Sequence, residues 1–270
     1  YQGPFPRAHS PANLSKLRVA AARLKAEGIV DRIVEGVTDG IAAAKAAQLW
    51  TDCYAYHAHT VNGQPATAIL TAMEGCLGDY ILHVDADVLI ARPDPDFDHI
   101  ANTVDVLEKK PDAVTLALSV YRDCDPLPRC ESVHGVPYRV EAICGWVSKD
   151  RLIAMCPFEG GVQAGRLNLP WHRMLDLSVR HKKAASLRRG SNALWFASLD
   201  NLTKVRAECM DVVMGRMEAG HVPALQAGRP LISGSISDWL GPVRHESMVI
   251  IISGRNVRPG AANVVPLVVV

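Results

Sequence analysis

Two carboxylates two residues apart, Asp85 and Asp87, follow the apolar run YILHV at 80–84. Side chains alternate along a strand, so acids at i and i+2 where a strand gives way to a loop converge on one side. Carboxylate oxygens are the ligands that hard cations such as Mg2+ and Mn2+ take. A cation held there with open positions neutralises a departing diphosphate, and the carboxyl ends of strands are where open α/β sheets receive ligands. Taken alone, the pair fits equally a turn whose acids cap a helix. Further along, His172, Asp176 and Arg180 stand four residues apart. That spacing puts them on one helix face, with Trp171, Met174, Leu175 and Ser178 pointing elsewhere. The stripe offers a base, a metal ligand or a phosphate contact, or else a surface ladder of ion pairs. His9, His57 and His59 have no partners at ligand spacing and are expected to be structural or exposed.

The elements that must position these groups alternate. Ser10-Pro11 reads as a helix start, Leu14, Leu17, Ala21 and Leu24 recur at helical spacing, and Gly28 reads as the end. A short strand at 29–34, a turn-rich EGVTDG and an Ala-rich helix to Trp50 follow. After HTVNGQP come a helix over 66–77, the strand at 80–84, a loop over DADVLIARPDPD, a helix over 97–109 and a strand over 113–120. This alternation predicts an α/β domain with a mostly parallel sheet flanked by helices on both faces. The second half is less regular: a Pro- and Cys-rich loop over 121–137, a strand over 138–147 and a short helix over 148–156. A Gly-rich loop over 159–168, a helix over 171–183, a strand over 193–199 and a helix over 201–219 follow. The tail carries MVIIIS at 248–253 and ends in VVPLVVV.

Composition narrows the function classes. Half of the 270 residues are apolar (49%), enough to bury a large core, and the net charge of +1 gives no electrostatic reason to expect a nucleic-acid partner. Arg180 to Lys183, and Arg188 with Arg189, read as solvated basic clusters. Seven cysteines, an odd number without a C-x-x-C pair, point to a reducing, cytoplasmic setting with thiols as small core residues. No run is long and apolar enough to predict a membrane span.

Three motifs in order over about 60 residues resemble the GT-A glycosyltransferases similar to glycosyltransferase family 2. GDYILHVDADVLIARPD (78–94) is similar to that family's G-D-Y-hydrophobic-D-x-D segment, and IVEGVTDG (33–40) to its strand followed by D-G-S-x-D-G. NGQPATAILTAMEGCLGDY (62–80) matches the spacing of the helix entry between them. The resemblance covers 14–120 and thins beyond. It implies a GT-A-like, Rossmann-like fold and Mn2+ or Mg2+ as cofactor. Asp87 would bind the metal, Asp85 would face ribose or metal, Glu35 the base or ribose, and Asp39 and Asn62 would shape the nucleotide pocket. Asp39 as a helix cap and Asn62-Gly63 as a plain turn are the alternatives. Gly145-Trp146 resembles the acceptor-side segment, where a ring would stack on a sugar; a core tryptophan is the other reading. The family pattern begins with a strand that would precede Tyr1: residues upstream would supply it, or MVIIISGRNVRP (248–259), which resembles such a strand and loop, would complete the sheet from the far end or begin a second unit.

An inverting transferase needs a carboxylate to deprotonate the acceptor. LPWHRMLDLSVR (169–180) resembles the family's E-D-x-D-L-x-x-R, but Arg173 and Met174 stand where the acids belong. Asp176 is then the first candidate for the base, with His172 as the alternative or an extra ligand. The expectation is one domain over 1–245, with a donor half (1–120) and an acceptor half (121–245), and an apolar tail (246–270). Its partners would be a nucleoside-diphosphate sugar and a hydroxyl acceptor: a glycan, a lipid carrier or a small molecule. A haloacid-dehalogenase-type phosphatase is disfavoured by Leu89, where Thr or Ser is needed. A sugar nucleotidyltransferase is disfavoured by QGPFPRAHSP, a poor version of its Gly-rich loop. An inactive nucleotide-sugar-binding module stays open because the E-D pair is lost.

Overall fold

The computed structural model describes residues 11–36, 39–85, 87–122, 140, 143–188, 193–198, 207–229, 231–232, 236–240 and 267–269. Helix α1 (Pro11–Ala26) ends as its sequence requires. Gly28 takes φ +69, and the Ile29 and Val30 amides reach back to the Leu24 carbonyl. Strand β1 (Arg32–Val34) and helices α2 (Ile41–Thr51) and α3 (Thr67–Gly75) lead to β2 (Tyr80–Val84). Next, β3 (Val88–Ala91) occupies part of the segment expected as a loop, because V-L-I-A alternates half-buried and buried positions against a partner strand.

Helix α4 (His99–Lys109) is capped at both ends by side chains. The Asp98 carboxylate accepts from the Ile100 and Ala101 amides at 3.1 and 2.9 Å, a cap worth about 1 kcal/mol. At the other end the Arg151 guanidinium donates to the carbonyls of Leu107, Lys110 and Ala113. Beyond it lie β4 (Ala113–Ala117), β5 (Ser119–Val120), β6 (Cys144–Ser148) and α5 (Lys149–Ala154). The Gly-rich stretch expected as a loop forms a hairpin of β7 (Val162–Gln163) and β8 (Arg166–Leu167), with Gly165 at φ +70 in its turn. Helix α6 (Trp171–His181), β9 (Ala185–Arg188), β10 (Trp195–Ser198), α7 (Ala207–Glu218), α8 (Ile236–Leu240) and β11 (Leu267–Val269) follow. Strand β9 was not expected from the sequence; its four residues are buried throughout.

The sheets are mixed, where the alternation predicts a mostly parallel one. A four-stranded sheet runs in the order β2-β6-β4-β9, with β6 antiparallel to both neighbours and β9 parallel to β4. A second sheet joins β3, β10 and β5, antiparallel then parallel. The alternation pattern fails where β6 enters between β2 and β4: periodicity reports which face of a strand is buried, not its direction. Both halves of the sequence contribute to the four-stranded sheet. In the tail, β11 pairs with β1 in parallel, while 248–259 lies outside the described residues, as does most of the 121–137 loop.

Each face of the four-stranded sheet has its own core. On one, Ile81 and Val147 pack with Leu70, Met73, Trp171, Met174 and Val179. On the other, Leu116, Trp146 and Leu187 pack with Leu107 and Phe196. The second sheet closes a third cluster of Leu89, Trp195, Val213 and Trp239. Of the cysteines, Cys144 and Cys209 are buried free thiols, and burial raises the pKa of Cys76 and Cys156 against nearby lysines. No described helix is long and apolar enough to cross a membrane.

Candidate functional site

Strand β2 pairs with β6 up to Val84 opposite Cys144, and the Asp85 amide extends the ladder by donating to the Ile143 carbonyl at 2.9 Å. The Asp85 carbonyl then accepts from the Val88 amide at 3.1 Å. That contact closes a four-residue turn carrying the chain from the four-stranded sheet into β3. Asp85 is therefore the last residue anchored to one sheet, and Asp87 is the residue before the first strand position of the next. The Asp85 side chain is 44% exposed and Asp87 is half-buried.

Sequence reasoning missed His83. It sits on β2 with its ring 5.3 Å from that of Trp171, at the start of α6, and burial pushes its pKa down to about 4. Its Nε2 lies 3.6 Å from Asp85 Oδ1, too far for a hydrogen bond, and the imidazole is neutral at physiological pH. A neutral imidazole next to a carboxylate is a metal-ligand chemistry. The available signal was its place two residues before Asp85 in a strand, hence on the same side. Among the described residues no group of three His, Cys, Asp or Glu closes a metal cage. Two carboxylates fit the other kind of site, in which Mg2+ or Mn2+ is held by one or two carboxylates and completed by phosphate and water.

Gly145 lies opposite His83, on the face shared with Trp171, and a Cβ there would come within 3.2 Å of the Ala117 Cα. Trp146 belongs to the opposite core and is 4% exposed, so its ring is packed rather than presented to an acceptor. The buried-core reading of that tryptophan is the one its packing supports, and Trp171 is among the aromatic rings on the Gly145 face.

Helix α6 carries the other expected pair. His172 is half-buried, its ring 5.9 Å from that of Trp171. Asp176 is buried with Met174, Leu175 and Ser178 rather than opposite them. Its side chain is only 7% exposed, pairs with Arg180 at 2.9 Å and faces the Val140 amide at 3.4 Å. The i,i+4 ion pair thus forms, but its acid end is inside the protein. Arg188, expected on a solvated face, is 8% exposed.

The residues expected at the nucleotide form separate clusters. Glu35 is exposed and forms a two-point pair with Arg18, at 2.8 and 3.1 Å. Asp39 does not cap α2, whose N-cap is Gly40 with no side-chain bond. Its carboxylate instead accepts from the Ala58 amide at 2.7 Å and pairs with His57 Nδ1 at 2.9 Å. Burial works against its charge, but the Ala58 bond, His57 and the nearby Arg166 outweigh that and hold its pKa below the ordinary value. His57, without a partner at ligand spacing in the sequence, has one 18 residues away, a separation that no periodicity reports. The Tyr56 and His57 amides donate to the Gly165 carbonyl, which fastens this loop to the β7–β8 turn. Asn62 is exposed at the tip of a turn held by Thr60, with Gly63 at φ +77. No family model, curated protein or solved structure matches the chain.

Proposed function

We propose that the protein is a metal-dependent glycosyltransferase of the GT-A kind, moving a sugar from a nucleoside-diphosphate donor to a hydroxyl acceptor, with inversion. One observation carries the reading: Asp85 and Asp87 lie two residues apart in the tight turn at the carboxyl end of β2, next to a neutral, largely enclosed His83. A hard divalent cation held by Asp87, with Asp85, would supply charge to offset the departing diphosphate. Asp85 and His83 set the polar wall of the site, and Trp171 behind His83 shields it from water. In the transfer, the bond between the anomeric carbon and the diphosphate oxygen breaks, its electrons leaving with the diphosphate. The acceptor oxygen bonds to that carbon, and its proton passes to a base. The Glu35–Arg18 pair and the Asp39–His57 pair offer exposed polar groups to the nucleotide. His172, half-buried beside Trp171, is better placed to take a proton than Asp176, whose charge is committed to Arg180.

A binding module without turnover is the second reading, and the enclosure of Asp176 favours it. Incubating the chain with a panel of nucleotide sugars and Mn2+, and measuring free or transferred sugar, separates the two. The transferase releases sugar and loses that activity in EDTA. Asp87→Ala is expected to lower turnover by roughly 100-fold or more, beyond the 10–100-fold typical of residues behind a ligand. Full activity in that variant removes the metal assignment, and nucleotide binding without sugar release establishes the module.

A further inference from the structure

His57 has two features that Asp176 lacks: access to solvent and a partner that orients it. Asp176 is enclosed with its charge committed to Arg180, whereas His57 is partly exposed and Asp39 exposed. One Asp39 oxygen accepts from the Ala58 amide at 2.7 Å, and the other meets His57 Nδ1 at 2.9 Å. Burial opposes the charge of Asp39, but these contacts and Arg166 outweigh it. An ionised carboxylate only accepts, so Nδ1 carries the proton and Nε2 keeps its lone pair. That edge of the ring borders Gly165, where a Cβ would lie 3.6 Å from Cδ2 and 3.9 Å from Nε2. The glycine leaves this space clear. A histidine fixed by a third group in its proton-accepting tautomer is the arrangement that general-base catalysis uses.

The backbone holds this dyad from three sides. The Gly40 amide donates to the Tyr56 carbonyl, the Tyr56 and His57 amides to the Gly165 carbonyl, and the Ala66 and Thr67 amides to the Ala58 carbonyl. The last pair fixes the dyad at the amino end of α3. Helix α3 runs back over the sheet. Cys76, at its carboxyl end, accepts from the Lys149 ammonium, and the Lys149 amide donates to Asp79, just before β2. Leu70 and Met73 then pack with Ile81, on the face that Ile81 shares with His83. The amino end of α3 therefore lies toward the carboxyl end of β2, from which Asp85 and Asp87 emerge. The Gly165 tether agrees: the chain leads from it through β8 to Trp171, whose ring is 5.3 Å from that of His83. The dyad is a cluster of its own, at the end of the sheet where open α/β folds take ligands.

We propose that His57 is the general base of the transfer, with Asp39 as its positioning residue. The assignment rests on the transferase reading above. The acceptor O–H bond breaks with its proton passing to Nε2, and the oxygen's electron pair bonds the anomeric carbon. The diphosphate leaves with the electrons of the old bond. Asp39 stabilises the imidazolium, which returns its proton to solvent.

The test uses the full chain in two measurements. Nitrogen-15 NMR of the imidazole rings should show His57 with its proton on Nδ1 in wild type and a mixture of tautomers in Asp39→Asn. Sugar release from UDP- and GDP-sugars with Mn2+ gives the kinetics, with water as the acceptor whose proton the base takes. His57→Ala should lower kcat roughly 100-fold or more with KM for the donor unchanged, and added imidazole should restore part of the rate. Asp39→Asn should lower kcat at least about tenfold. Circular dichroism checks the folds; should alanine unfold the chain, His57→Gln decides. A wild-type proton on Nε2 overturns the proposal, as does undiminished kcat in the folded variants. A loss that imidazole does not restore and that follows weakened donor binding assigns the pair to the nucleotide alone, and the base assignment fails. If wild type releases no sugar from any donor, the transferase reading falls and the base assignment with it. If wild type turns over and His57→Ala keeps pace, the base assignment falls alone.

Discussion

Two histidine–aspartate pairs lie in separate parts of the fold, and they behave in opposite ways. His57 and Asp39 are 2.9 Å apart with side chains 35% and 57% exposed. His83 and Asp85 are 3.6 Å apart, with the histidine side chain at 16%. In the first pair, a hydrogen bond and a backbone amide favour the charged acid, and the Asp39 pKa falls. In the second, burial against Trp171 dominates, and the His83 pKa falls to about 4. The first is a charge-supporting pair that orients a ring. The second is an uncharged ring next to a carboxylate, suited to sharing a cation rather than to an ion pair. Residue type alone does not separate them; distance and burial do.

The largest test of this difference is acid. An unfolded chain protonates His83 near pH 6.5, the folded one only near 4. Between those values the unfolded state binds more protons, so the contribution of His83 is fully present above pH 6.5 and is lost as pH falls towards 4. The shift corresponds to destabilisation on the order of 3 kcal/mol across that window. Urea denaturation from pH 7 to 4 should show it, and His83→Leu should flatten the slope in that range. A wild-type profile as flat as the variant's would show that the ring is not held neutral. Next in size is Asp176, a buried carboxylate paired with an arginine rather than a histidine. Breaking a buried pair costs 3–5 kcal/mol when both partners are enclosed. Here Arg180 is 38% exposed and can turn to water, so Asp176→Ala should cost about 2 kcal/mol. The same variant should keep at least half its sugar release if Asp176 is structural; a thousandfold loss with unchanged stability would restore it as the base.

How far these roles were legible in the sequence depends on their range. Local signals were reliable: Gly28 as a helix end, Gly63 in a turn, strand β2 to the residue, and the Asp85 turn that follows it. The α/β character was legible as well, because alternation and helical spacing are properties of neighbours. Strand direction was not, and β6, inserted antiparallel between β2 and β4, depends on residues 60 positions away from β2. Asp176 reads as an exposed stripe member on helical spacing, and only tertiary packing around α6, with the Val140 amide facing its carboxylate, buries it. Trp146 and Trp171 both follow a plausible site motif, and only the register of β6 tells which ring shares the face of Gly145. Arg188 reads as part of a basic, solvated run because its neighbour is also arginine. The four-residue strand that encloses it has no turn or cap signal strong enough to announce it.

The smallest expected effect discriminates most finely between the two histidine–aspartate pairs. Asp39 is more than half exposed, so its pairing with His57 is largely screened, and a pair of this kind contributes at most about 1 kcal/mol. Because its folded pKa is depressed, that contribution is present above the unfolded carboxylate value near 4 and is lost as pH falls through the lower folded value. It therefore disappears below the window in which His83 acts. Asp39→Asn, His57→Gln and the double variant form a cycle whose coupling should be about 0.5 kcal/mol at pH 7 and should vanish near pH 2. The same cycle built on His83 and Asp85 should show no favourable coupling at pH 7, since the ring is neutral and the contact is longer than a hydrogen bond. Equal couplings in the two cycles would mean that the 3.6 Å pair is charged after all, and that burial does not set the state of His83.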